Sequence, residues 1–520
     1  MKNKLKLFMF IVITGLIMTA CKERPLSDED FVSEGDVVFF YDNIKQTIDG
    51  FGGSDAWMTL PSNAAAANEV VKLLYSKTEG AGFTILRNRI PFRERLAGDT
   101  EPSHNDGFLR RNNDNTYNYT ESGGVKTFNL NWNSWDLAGT KNLITRIKNL
   151  GADGPGDQLT IMSTPWTPPN NRVTRWKEDV TGAGSLNGAI NWNTPDVWGR
   201  LKRAFYNDYA DLLADYVKNF QANMGHPLSV LSIQNEPNMK VSYESAYMNG
   251  NDIRDFLKTI SERFPLKSVF VNIMAPEFEN YDINFNSMVK PSLDDQVSNN
   301  VLTHIALHQY NAGWDSGITA GTVNGLAYFP QIAASGKRFW QTEISNLGPH
   351  CPDDHGIENA LYYARMIHFN MTMAGTNAFL FWWLWQNTDS NEVMGGSLIT
   401  VRNGTTVIPA KRLYAMGQYS RFVRPGWVRI EAEAEPVKGV FISAYKNPSG
   451  NEIAIVMINT NVSSVDLSIG MGANRFESLN SWRTSSSENL TSLGKQEFNG
   501  GNADISLSQK SITTFYGTVR

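Results

Sequence analysis

Between about residue 45 and residue 425 the chain alternates short, nearly continuous apolar runs with longer stretches whose apolar residues recur at helical intervals. The runs are 46–52 (QTIDGFG), 83–90 (FTILRNRI), 159–164 (LTIMST), 228–234 (LSVLSIQ), 268–274 (SVFVNIM), 302–308 (LTHIALH), 338–342 (RFWQT) and 377–385 (NAFLFWWLW). Strands covered on both faces read as continuous runs of this kind, whereas a half-exposed strand alternates. Among the intervening stretches, 64–75 (AAAANEVVKLLY) is rich in strong helix formers, and 134–150 spaces Leu137, Leu143, Ile144, Ile147 and Leu150 mostly by three, four or seven. A long helix is predicted over 195–223, opening with Pro195, and another over 252–264, capped by Asp252. Residues 325–335 supply a crossover, and 357–374 carry Ile357, Leu361, Ala364, Ile367 and Met371. Eight strand–helix repeats predict an α/β fold, a (β/α)8 TIM barrel over residues 46–426, and no G-x-G-x-x-G dinucleotide turn follows a strand.

After Gly426 the texture changes. Residues 427–520 hold short alternating runs (GVFISAY, EIAIVMIN, SSVDLSI, SITTFYGTV) separated by Asn, Ser and Gly turns, the pattern of antiparallel β-structure. Residues 37–45 read as one more strand of the same sheet. The two chain ends therefore form a β-sandwich packed beside the barrel.

The first 20 residues have a different character. Lys2, Lys4 and Lys6 precede an apolar run from Leu7 to Met18, then Thr19, Ala20 and Cys21. A basic start, a short apolar stretch and small residues before a cleavage point read as a secretory signal over 1–20. The run falls short of the roughly 20 apolar residues a spanning helix needs. Its Met-Thr-Ala-Cys ending resembles a bacterial lipobox, which makes Cys21 the expected lipidation site and 21–36 a polar tether. The expected address is an exported protein, lipid-anchored in the bacterial cell envelope at the outer membrane or cell surface, touching membrane only through that anchor. Cys351, the second of 2 cysteines, is left unpaired, so no disulfide framework is available.

Charge narrows the partners. With 47 basic and 52 acidic residues the chain has no surplus to neutralise a phosphate backbone, so no nucleic-acid partner is expected. Charged residues make up 19%, below the roughly 25% of an average domain, which argues against disorder and coiled coil. The 14 Trp, 18 Tyr and 27 Phe offer many flat rings of the kind that stack on sugars.

In a barrel, chemistry collects where strands end and βα loops begin. The fourth strand ends in Gln234-Asn235-Glu236-Pro237 and the seventh in Trp340-Gln341-Thr342-Glu343. The sixth delivers His308-Gln309-Tyr310, the second Arg87 and Arg89, and the first leads into Asp55-Ala56-Trp57. Two carboxylates at the mouth, with amides, rings and an Arg around them, suit glycosidic bond cleavage, in which one carboxyl protonates the leaving oxygen and the other works at the anomeric carbon.

Asn-Glu-Pro closing a fourth strand, with Glu closing the seventh, resembles the clan A glycoside hydrolases. Further motifs are similar to glycoside hydrolase family 30: Gln46-Thr-Ile-Asp-Gly-Phe-Gly-Gly53, Ser163-Thr-Pro-Trp166-Thr-Pro-Pro, Ser232-Ile-Gln-Asn-Glu-Pro237, Trp340-Gln-Thr-Glu343 and Tyr414-Ala-Met-Gly-Gln-Tyr-Ser-Arg-Phe-Val-Arg-Pro-Gly426. The likeness spans nearly the whole chain after the leader. It implies a retaining double displacement with Glu236 as general acid/base and Glu343 as nucleophile. It further implies that Asn235 bonds the hydroxyl beside the anomeric carbon and that Arg87 and Tyr310 orient Glu343. His308 would line the cavity, Trp166 and Trp385 would be sugar platforms, and Asp55 and Trp57 would contact sugar from the first loop. No metal and no cofactor is called for, since side chains fill both catalytic roles, and the expected partner is a polysaccharide or oligosaccharide bound by a monomer.

Rival assignments remain at this point. Glu277 is a candidate substrate contact and Glu279 a solvated carboxylate, while Arg89 competes with Arg87. His350, Asp353, Asp354 and His355 cluster in one loop without a recognised ligand spacing and read as a substrate loop. The loop ending in Trp57 and the polar insertions at 97–131 and 170–192 resemble the endo-β-1,6-galactanase branch most. A glucuronoxylan endo-β-1,4-xylanase, with Arg402 as the reader of an acidic side group, and a β-1,6-glucanase are the enzyme alternatives. A non-catalytic glycan-binding surface lipoprotein is the alternative from another class.

Overall fold

The computed structural model describes residues 37–92, 107–154, 158–281, 284–310, 328–345, 355–390, 394–470, 478–499 and 502–519; the leader, Cys21, the tether, Cys351, His350, Asp353 and Asp354 lie outside them. Eight parallel strands, Gly50–Ser54, Ile85–Ile90, Thr160–Pro165, Val230–Ser232, Asn272–Phe278, Leu302–His308, Arg338–Glu343 and Ala378–Thr388, neighbour one another in chain order, and the eighth pairs with both the seventh and the first. The sheet is a closed barrel. Ile85, Met162, Val230, Met274, Ala306, Trp340, Ala378 and Leu380 pack as one cluster inside it.

The first strand adds no side chain to that cluster, and its glycines explain why. A Cβ on Gly52 would lie 1.9 Å from the Ile85 carbonyl oxygen, and one on Gly53 2.7 Å from that of Phe381. Only glycine lets the neighbouring backbones approach so closely. Gln46, at the head of the same motif, donates to the carbonyls of Met371 at 2.6 Å and Thr376 at 3.1 Å, tying the strand's entry to the turn before the eighth strand.

Helices cover the outside. Ala64–Tyr75 is capped by the Asn63 side chain, which accepts from the Ala66 amide. Gly250–Leu266 carries a capping box between Asn249 and Asp252. Trp135–Asn149, Tyr206–Met224 and Ile357–Phe369 also lie near their predicted spans. Two boundaries differ from expectation. The helix predicted from Pro195 begins at Tyr206, because Arg200–Leu201 pairs instead with Lys177–Glu178 in the 170–192 insertion. The fifth strand, expected over 268–274, runs from Asn272 to Phe278; Phe270 is 87% exposed at the approach to it, so the first half of that apolar run lies outside the sheet.

The strands after Gly426 are antiparallel, and Val37–Thr47 joins them, pairing antiparallel with Val428–Ala432 and parallel with Val465–Gly470. A core including Phe39, Tyr41, Ile430, Ile442, Ile455 and Leu467 fills this sandwich. Its other face meets barrel helices: Phe369 packs edge-on to Phe441 at 5.4 Å, and Thr514 donates to the Gln418 carbonyl at 2.7 Å. Among the described residues no helix is long and apolar enough to cross a membrane.

Candidate active site

Four strands of the barrel and the turn after a fifth bring five charged groups together at the C-terminal mouth. Arg87 projects from the second strand and Glu277 from the fifth; His308 and Glu343 close the sixth and seventh, and Glu236 follows the fourth in a left-handed backbone conformation with φ 42°. Left-handed geometry is costly for a residue with a Cβ and marks a position held by its surroundings. Glu277 shares it, with φ 51°, and its carbonyl accepts from the Glu236 amide at 3.0 Å.

Arg87, fully buried, reaches three of the site's side chains. Its Nη1 donates to Glu343 Oε2 at 2.6 Å, its Nη2 donates to Asn235 Oδ1 at 2.6 Å, and the same Nη2 stands 3.1 Å from Glu277 Oε1. Tyr310 donates to the other oxygen of Glu343 at 2.8 Å. His308 places Nδ1 2.9 Å from Glu236 Oε1, while its Nε2 faces Glu277 at 3.6 Å and Glu343 at 3.8 Å. Asn235, its oxygen taken by Arg87, turns Nδ2 to Glu236 Oε2 at 3.3 Å, and the Tyr243 hydroxyl reaches that oxygen at 3.4 Å. Glu236 and Glu343 each present an oxygen within 4.8 Å of the other and of a His308 nitrogen. Such a trio can ligate a divalent cation, but the guanidinium on Glu343 already supplies the compensating positive charge.

The electrostatics follow from burial and neighbours. Burial works against a charged His308, yet the carboxylates of Glu343, Glu236 and Glu277 outweigh it and raise the imidazole to about 10. Burial would likewise lift Glu277, but Arg87 and His308 bring it down to about 2. Glu343 is raised above the ordinary carboxylate value by burial, with His308, Arg87 and Tyr310 opposing and Glu236 reinforcing.

Beside the charged cluster stands an aromatic wall. Trp57, Trp166 and Trp382 are in mutual contact, with ring centroids 5.0 to 5.8 Å apart, and Trp383 stacks on Trp382 at 5.1 Å. The Arg87 guanidinium lies over Trp166 at 4.8 Å. The structure thus brings Trp57, Arg87, Trp166, Asn235, Glu236, His308, Tyr310 and Glu343 to one place, although Trp166 is only 2% exposed.

Three predicted contacts are corrected. Trp385 is 1% exposed in the core, its Nε1 donating to the Thr59 carbonyl at 3.0 Å, so it is no sugar platform. Strand alternation sends Trp382 inward with Leu380 and Ala378, leaving the partly exposed ring to Trp383. Asp55 turns away from the cavity to accept from Thr140 at 2.7 Å, and burial lifts it to about 7. Glu277 is fully buried and is therefore no substrate contact. Glu279, taken as solvated, is half-buried and raised by desolvation. Arg89 does not rival Arg87: it pairs with Asp136 and Glu244 and lies over Trp57 at 5.1 Å.

Sequence reasoning missed Tyr243 and Lys177. Fully buried Lys177 donates to Thr167 Oγ1 at 2.8 Å and to the carbonyls of Asp196 at 2.8 Å and Ser245 at 3.1 Å, pinning the 170–192 insertion to the segment that carries Tyr243. No local pattern marks either residue; both matter through contacts between distant loops.

The profile described as O-Glycosyl hydrolase family 30 matches residues 185–392, and that of the glycosyl hydrolase family 30 beta sandwich domain matches 426–515. Glucuronoxylanase XynC of Bacillus subtilis is 26% identical over 363 residues, 68% of this chain and 73% of the relative. A family 30 endoxylanase structure from Clostridium papyrosolvens C71 superposes with a TM-score of 0.67 at 25% identity, covering 93% of this chain and 100% of that one. An endo-β-1,6-glucanase structure shares the fold, with a TM-score of 0.65 at 19% identity over 94% of each chain.

Proposed function

The chain belongs to glycoside hydrolase family 30, and from that premise we propose that it cleaves β-linked glycan internally and with retention, Glu236 acting as general acid/base and Glu343 as nucleophile. One observation carries this reading: the two carboxylates offer oxygens within 4.8 Å of each other, on the scale of the roughly 5–5.5 Å of retaining pairs and short of the roughly 6.5–9.5 Å an intervening water needs.

The steps follow from the contacts. Glu236 gives its proton to the leaving oxygen while Glu343 attacks the anomeric carbon from the opposite face, forming a glycosyl-enzyme. Arg87 and Tyr310 hold one oxygen each of Glu343, so the carboxylate enters in a fixed orientation. Glu236, now ionised, takes a proton from the water that releases the sugar. Asn235, with its oxygen held by Arg87, keeps its Nδ2 for the hydroxyl next to the anomeric carbon.

For the substrate, the first loop and the two polar insertions support β-1,6-galactan. The 170–192 insertion adds a wall beside the Glu236 segment, with Lys240 donating to the Asn187 carbonyl at 2.8 Å. Glucuronoxylan is the second reading, favoured by the 26% identity to a glucuronoxylanase. Incubation with arabinogalactan side chains, glucuronoxylan and β-1,6-glucan separates these, since oligosaccharides are expected from the galactan alone. Glu236→Gln should slow glycan hydrolysis by about 10²–10⁴-fold, and Glu236→Ala given azide and an activated aryl glycoside should yield the β-glycosyl azide. An α-azide, or full activity in Glu343→Gln, would refute the retaining assignment.

A further inference from the structure

We propose that Glu277 is a positioning residue that keeps the catalytic proton in the site: as the third carboxylate facing two buried cations, it leaves the Glu236–Glu343 pair one negative charge in excess, which one proton neutralises.

The ledger rests on geometry. Arg87 is cationic at any accessible pH. His308 has a carboxylate opposite each ring nitrogen, Glu236 at 2.9 Å from Nδ1 and both Glu277 and Glu343 within 3.8 Å of Nε2. Only the doubly protonated ring presents N–H to both sides. Against these two positive charges stand three carboxylates, all buried. Were Glu277 apolar, the two cations would match the two catalytic carboxylates, and the favoured state would be a deprotonated pair with no acid for the leaving group. With Glu277 present, neutrality in this low-dielectric site calls for one proton on the pair, and hydrolysis draws it from Glu236.

Glu277 is suited to stay ionised itself. Its Oε1 is 3.1 Å from Arg87 Nη2 and its Oε2 accepts from Thr164 Oγ1 at 3.1 Å. Arg87 and His308 also hold its carboxyl at about 2, so the shared proton does not migrate to it. The other titratable groups facing the pair are Tyr310 and Tyr243, whose phenols burial raises, and Glu279, whose charge acts in the same sense as that of Glu277. The backbone bond from Glu236 N to the Glu277 carbonyl, at 3.0 Å, makes the acid and its proton-keeper one structural unit.

This inference rests on the assignment of Glu236 and Glu343 made above, and the test separates the two. The pH dependence of kcat/KM is measured for the wild type and Glu277→Gln on a β-glycan, which needs leaving-group protonation, and on a dinitrophenyl β-glycoside, which does not. Glu277→Gln is expected to move the alkaline limb on the glycan down by about one pH unit or more, as for removal of a unit charge a few ångströms away at an effective dielectric near 20. The glycan rate at neutral pH should fall at least about tenfold, while the dinitrophenyl rate stays within about threefold. An unmoved limb, or equal slowing of both substrates, overturns the proposal and leaves Glu277 a packing residue. Should Glu277→Gln fail to fold, Glu277→Asp is measured instead: the charge remains, so the limb must stay even if kcat drops, and a limb displaced by a full unit overturns the proposal. Glu236→Gln and Glu343→Gln are run alongside. If they keep glycan activity, the acid and nucleophile assignments fail; if they lose it while the Glu277→Gln limb is unmoved, only the role of Glu277 fails.

Discussion

Trp383 and Trp385 stand two positions apart on the eighth strand and have different surroundings. Trp383 stacks on the aromatic wall and keeps part of its ring open, whereas Trp385 is held in the core by Thr59. Trp383→Ala should raise KM for glycan several-fold with little change in kcat. Trp385→Phe should leave KM alone and cost about 1 kcal/mol of stability, because one hydrogen bond to the Thr59 carbonyl is lost while Asn387 still donates to it at 3.0 Å. Steady-state kinetics and thermal melts of the two variants check this. Asp55 yields a second test at this scale. Its folded value is raised to about 7 from 3.8, so its charged form is disfavoured by folding and stability drains away as pH climbs through that window. Asp55→Asn should therefore melt higher than the wild type at pH 8, the gap closing toward pH 4. The residues legible in the sequence were those whose place on a strand fixes their aim: Glu343 and His308 at strand ends, Arg87 within one. Asp55 and Trp385 were misjudged because loop curvature and strand alternation, rather than motif membership, decide which way a side chain faces.

At the scale of elements, the eight strands were visible because strands covered on both faces must be apolar along their whole length. Where an apolar run is only partly inside the sheet, that signal misplaces the boundary, as at Phe270. The shift of the fifth strand to Asn272–Phe278 had a chemical consequence: it moved Glu277 from an expected loop into the barrel wall, and so from sugar contact to the partner of Arg87. The helix expected from Pro195 shows the converse error, since pairing of Arg200–Leu201 with Lys177–Glu178 is a tertiary contact with no local trace. Glycine in the first strand is the element-level feature with the sharpest prediction. Gly52→Ala places a methyl 1.9 Å from the Ile85 carbonyl carbon's oxygen, a contact between backbones that no rotamer change relieves. It should cost more than the roughly 1–3 kcal/mol of ordinary overpacking and leave the protein largely insoluble on expression. Gly123→Ala, where a Cβ meets nothing within 4 Å, is the control; its φ of 58° should make the loss small but measurable by melting temperature.

For the whole molecule the question is whether barrel and sandwich stand alone. Their apolar residues do not divide cleanly: Phe441, Tyr445, Ala454, Val456, Ile458 and Ile512 of the sandwich belong to the same continuous cluster as the barrel's outer helices. The contact is also polar and specific, since Gln418 donates to Thr484 at 2.9 Å and accepts from Thr514 at 2.6 Å, all three buried. The entry strand Val37–Thr47 leads straight into the first barrel strand while pairing with Val428–Ala432, so both ends of the barrel are clamped by one sheet. An interface this apolar resembles a core more than a docking surface between independent domains. Calorimetry of the full chain is therefore expected to give one transition with calorimetric and van't Hoff enthalpies in agreement. Truncation after Gly426 would expose the faces of Ile357–Phe369 and Lys411–Ser420 to water and should give aggregated protein, not an active barrel. Two separated transitions, or a soluble and active 37–426 fragment, would show instead that the sandwich is an appendage. In that event the barrel's hold on Arg87, Glu277 and the catalytic pair would have to come from the strands alone.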